Sequence, residues 1–150
     1  MAAYLAVLII QTAAATFLFV MIFPVFRQMI VKLGEPQEIS LLTDAEIALS
    51  ALTLHGAYWV RYMWIAIIPP MHSPFVGHLV QFGSRTSFFF GGALFSVVFF
   101  RHVPALAALP TIDQTLLKGF LLFWVLFALF CYSLELDRLG KAIEEPPKQS

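Results

Sequence analysis

Charge is scarce in this chain, asparagine is absent, and cysteine occurs once. Charged residues make up 12% of the 150 positions, against about 25% in a soluble domain. Nine Lys and Arg balance nine Asp and Glu, so no net field points toward nucleic acid or an anionic surface. The single cysteine, Cys131, lies inside an apolar run. An internal disulfide and a cysteine-based metal cage are therefore both excluded. HExxH, a phosphate loop and paired carboxylates within an apolar segment are also missing, which removes the usual sequence marks of catalysis.

What fills the chain instead is hydrocarbon. Hydrophobic residues reach 60%, and phenylalanine alone supplies 16 positions. A water-soluble globule carries about 45–50%. The composition predicts an integral membrane protein. The apolar runs are long and lack the alternation of barrel strands, so the spans are expected to be helical.

A helix needs about 20 mostly apolar residues to cross some 30 Å of hydrocarbon. Four segments qualify, at about 4–26, 45–68, 75–100 and 115–132. The expectation is an all-α, four-helix membrane bundle forming one domain, with 133–150 as a polar helical extension and tail. The first span lacks the basic n-region of a signal peptide and exceeds its apolar length, so it reads as a true span. Thr43 or Asp44 is expected to cap the second helix. Pro69–Pro70 should stop it, with a tight hairpin over 69–74 leading into the third. The mostly apolar link 101–114 is expected at the interface or against the bundle.

Orientation is nearly balanced. Arg27, Lys32, Arg101 and Lys118 fall on one side, and Arg61, Arg85, Arg138, Lys141 and Lys148 on the other. Both termini are expected in the cytoplasm of a bacterial cell, with the chain in the inner membrane.

Polar groups inside apolar spans are costly, so they mark candidate sites. Glu46, Ser50, Thr53, Ala57 and Arg61 recur at helical spacing in the second span. His78, Gln81, Arg85, Gly92 and Ser96 do so in the third. These faces are expected to turn inward, toward each other or a partner, leaving the Phe-rich faces to lipid. Arg61 and Arg85 stand at similar depth, and either snorkel or meet an anion. His78 and Gln81 join them as candidate partner, lipid or anion ligands. Glu46 lies about 22 Å along the helix from Arg61 and cannot pair with it.

His55 sits near the middle of the second span, where a neutral imidazole could pack, hydrogen-bond, or ligate a haem iron or chlorin magnesium. His78 and His102 stand about 16–20 Å from its level, so a second axial histidine within the chain is not expected. Tyr4, Tyr58, Trp59, Tyr62, Trp64 and Tyr132 read as interfacial aromatics.

Three functional expectations follow. The first is a non-catalytic subunit that joins other integral membrane subunits and lipids through its polar faces. The second is a cofactor-binding electron- or energy-transfer subunit using His55. The third is an oligomeric carrier or channel with Arg61 and Arg85 lining an anion path. Nucleic acid is not an expected partner.

Overall fold

The structure, a computed structural model, describes residues 2–32, 41–107 and 112–145. It is all-helical, with α1 over Ala2–Val31, α2 over Leu41–Trp64, α3 over Pro74–Ala107 and α4 over Ile112–Glu144. No strand occurs among the described residues. Within those residues α1 and α4 are long and apolar enough to cross a membrane by length and composition. The shorter α2 carries Asp44, Glu46 and Arg61, and neither it nor α3 reaches that mark.

The helices alternate in direction, so α1 and α3 run one way and α2 and α4 the other. α4 packs on both α3 and α2, and α1 leans mainly on α2. Among the described residues α2 and α3 do not touch. The expected side-by-side hairpin is therefore corrected, because the segment 65–73 crosses beneath the end of α4. Ser73 N–H donates to the Ile143 carbonyl at 3.0 Å, and His72 Nδ1 lies 2.7 Å from the Glu145 carbonyl. Both bonds satisfy carbonyls that a helix end leaves unpaired.

Boundaries also move. α2 stops at Trp64, four residues before the expected Ile68. The Pro69 and Pro70 rings collide with the carbonyls of Ile65 and Ala66 in a helix, and the residue before a proline avoids helical torsions. At its other end α2 starts at Leu41, which puts Thr43 and Asp44 in the first turn rather than at the cap. α3 continues past Phe100 through Pro104 to Ala107, so Arg101–Pro104 does not end it and the start of the expected link is helical. α4 runs unbroken through 133–144; the tail from 146 and the links 33–40 and 108–111 lie outside the described residues.

A heptad-like stripe of each helix builds the core. α1 contributes Tyr4, Gln11, Ala15, Leu18 and Ile22. α4 contributes Val125, Ala128, Tyr132, Glu135, Leu139 and Ile143. Spacings of three and four keep each row on one side of its helix. The inward face of α2 is Ile47, Ser50, Ala51, Leu54, Tyr58 and Arg61, about one residue away from part of the expected polar row. On α3 the inward residues are Gly77, Ser84, Gly91 and Phe95, the row next to His78, Arg85 and Gly92. Close helix approach selects the smallest side chains rather than the polar ones.

Candidate functional site: a buried ion pair inside the bundle

The end of the bundle that gathers the start of α1, the segment 65–73 and the last turns of α4 holds a closed polar cluster. Glu135 is 0% exposed, Arg61 5% and Tyr4 1%. Arg61 Nη2 donates to Glu135 Oε2 in a buried salt bridge. The Tyr4 hydroxyl donates to the other carboxylate oxygen, Oε1, at 3.2 Å. Three helices thus converge on one carboxylate, with α1 giving a hydroxyl, α2 a guanidinium and α4 the acid.

Aromatic rings complete the surround. The Arg61 guanidinium carbon lies 5.5 Å from the Tyr58 ring centre and 5.9 Å from that of Tyr62. Arg138 reaches the Tyr62 ring at 5.3 Å. Cation–π attraction of this kind holds a guanidinium away from water. One donor of the cluster, Arg61 Nε, has no partner among the described residues, and both polar atoms of the Gln11 side chain are likewise unpaired.

Other polar contacts lie along α3 and α4. Ser84 Oγ donates to the Ser133 carbonyl at 2.7 Å and stands 2.9 Å from the Ser133 hydroxyl. Gln81 Nε2 donates to Glu144 Oε2 at 2.9 Å, and His78 Nε2 lies 3.2 Å from Glu144 Oε1. Tyr132 donates to Thr12 Oγ1 at 3.0 Å, which ties α4 to α1.

The residues singled out from sequence therefore separate. Arg61 turns inward, where the anion it meets is Glu135 of its own chain. Arg85 is exposed on the outside of α3. His78 and Gln81 bind the end of α4. Tyr4 and Tyr132 are buried hydrogen-bond donors rather than interfacial aromatics, whereas Trp59, Tyr62 and Trp64 are exposed.

Sequence reasoning missed Glu135 because it follows Tyr132 in what reads as a polar extension. The signal was there in its register, since Glu135 continues the apolar row Val125, Ala128, Tyr132. Gln11 carried the same signal in α1.

His55 is half-buried between α2 and α4. Trp124 Nε1–H points at His55 Nδ1 from 3.0 Å. An indole nitrogen can only donate, so Nδ1 accepts and the ring proton sits on Nε2. A metal-bound imidazole has the reverse polarity, with its second nitrogen donating outward. The Phe127 ring centre lies 5.1 Å from the imidazole centre and covers it further. These contacts engage the His55 ring with α4. They fit a histidine that joins two helices. Among the described residues no cluster of three His, Cys, Asp or Glu could hold a metal ion.

No protein family, no curated protein and no solved structure matches the chain. The fold and site define an all-helical protein, two of whose helices are long and apolar enough to cross a membrane, built around a buried Arg–Glu pair.

Proposed function

We propose that this is a multi-pass integral membrane protein whose four helices all cross the bilayer, and that it serves as a non-catalytic subunit of a larger membrane assembly. The bacterial inner membrane, with both termini cytoplasmic, is the setting this reading takes.

The distribution of side chains supports the membrane part. The ionised pair is inside, while Phe75, Phe89, Phe123 and Trp64 are each more than two-thirds exposed. A protein in water rarely exposes so continuous an apolar surface. In lipid the same surface costs nothing, and the buried charges must find each other.

Arg85 carries the subunit part. It stands on the outer face of α3 between exposed Phe82, Phe88 and Phe89, and it makes no ion pair with any described residue. A cation on an apolar surface calls for an anion from outside the chain, and a carboxylate on a neighbouring subunit supplies one. The closed Arg61–Glu135 pair favours this reading over an anion path, because Arg61 offers a passing solute neither access nor unbalanced charge.

The test is purification from the native membrane in mild detergent, with the stoichiometric partners identified by mass spectrometry. Arg85→Leu should insert normally and lose its partner, and Arg85→Lys should keep it in part. Retention of every partner by Arg85→Leu would sink the proposal.

A further inference from the structure

The outer face of α1 carries a second feature at the opposite end of the bundle from the ion pair. α1 touches α3 only lightly, and an apolar groove of about 620 Å³ opens between Thr16, Phe19, Val20 and Phe23 of α1 and Phe90 and Leu94 of α3. Thr16 spends its hydroxyl on the Thr12 carbonyl at 2.8 Å, so the deep end offers a ligand little polarity. The groove shares Phe23 and Pro24 with a smaller hollow of about 310 Å³ lined by Arg27, Gln28 and Lys32. A long apolar trough thus opens at one end beside cations.

Its length is informative. Arg27 and Thr16 are eleven residues apart, or about 16 Å along a helix. One leaflet of the hydrocarbon core is about 15 Å, half of the ~30 Å total. A chain lying from Arg27 to Thr16 would reach from the headgroup level to the bilayer middle. Arg27 is exposed and forms no ion pair with a described residue, and guanidinium is the side chain best shaped to grip a phosphate.

We infer that this groove binds one anionic phospholipid, with its phosphate at Arg27 and one acyl chain along Phe23, Val20 and Phe19 to Thr16. The inference rests on the membrane reading above. It is independent of any partner at Arg85, which lies elsewhere on α3.

Native mass spectrometry of the full chain tests it, with phosphatidylglycerol and phosphatidylcholine of identical acyl chains as the probes. The wild type should retain one phosphatidylglycerol in preference to phosphatidylcholine. Arg27→Gln should reduce that preference roughly fivefold, the worth of one basic group near a membrane surface. Val20→Trp fills an outward-facing part of the groove and should lose both lipids. Equal retention of the two lipids, unchanged in Arg27→Gln, would overturn the site. A lipid-free dimer broken by Val20→Trp would also overturn it, by assigning the groove to a second copy. Release of the wild-type chain by alkaline carbonate would overturn the membrane reading itself. A carbonate-resistant chain without lipid preference would overturn the lipid site alone.

Discussion

Glu135 is the residue on which the most structure depends. Its two oxygens are divided between Arg61 and Tyr4, so removing either charge leaves the other buried and unmatched. Breaking a buried pair from one side costs about 3–5 kcal/mol, whereas replacing both partners by apolar residues is often close to neutral. Glu135→Leu and Arg61→Met should each destabilise by about that amount, and the double substitution should recover most of the loss. Reversible unfolding in detergent would read the cycle, and additive losses would show that the two side chains do not interact. Tyr4→Phe removes a hydrogen bond to a charged group and should cost about 1.5–3 kcal/mol. Gln11 predicts the opposite sign. Its buried amide has no partner among the described residues, so Gln11→Leu should stabilise by about 1–3 kcal/mol. A loss of stability there would mean that the amide has a partner. Neither Glu135 nor Gln11 belongs to a repeating polar row in the sequence; each is a single polar residue in the register of a buried apolar row, and only that register marks it.

At the scale of the helices, the seam between α3 and α4 is set by two glycines. A Cβ on Gly77 would stand 2.7 Å from the Gly140 carbonyl oxygen, and a Cβ on Gly140 would stand 2.9 Å from the Gly77 carbonyl oxygen. Backbone cannot step aside as a side chain can, so Gly77→Ala should push the helices apart and lower the melting temperature. Gly56 and Gly92 have nothing within 4 Å of an added Cβ. Gly56→Ala should therefore gain up to about 1 kcal/mol from helix propensity alone. Parallel thermal unfolding of the two variants checks the contrast; equal effects would contradict the seam. The four helices were legible in the sequence because long apolar runs broken by Pro and polar links leave few alternatives. The neighbour relations were not. A short link between the second and third helices suggests a hairpin, yet 65–73 crosses under α4, where Ser73 and His72 bond its end. The polar row of α3 was also a misleading guide, since the small row beside it decides the contact with α4.

Across the described residues, alternation of the helices places the start of α1, the end of α4 and the segment 65–73 at one end, with Arg27 and Gln28 at the other. By length and composition, α1 and α4 are the two helices among the described residues that are apolar enough to cross a membrane. The proposal that α2 and α3 cross as well rests on packing, because their inward residues meet α4 while Trp59 and Trp64 of α2 and Phe75, Phe82 and Phe89 of α3 face out. The most direct measurement places a single cysteine at Gln28 or at Met71, in a Cys131→Ser background, and labels intact cells with a membrane-impermeant maleimide. Both native positions are exposed. The account predicts that position 28 labels and position 71 does not, with the chain resistant to carbonate extraction. Labelling of both positions from the same side would contradict a crossing by α2, the helix between them, and with it the four-span bundle.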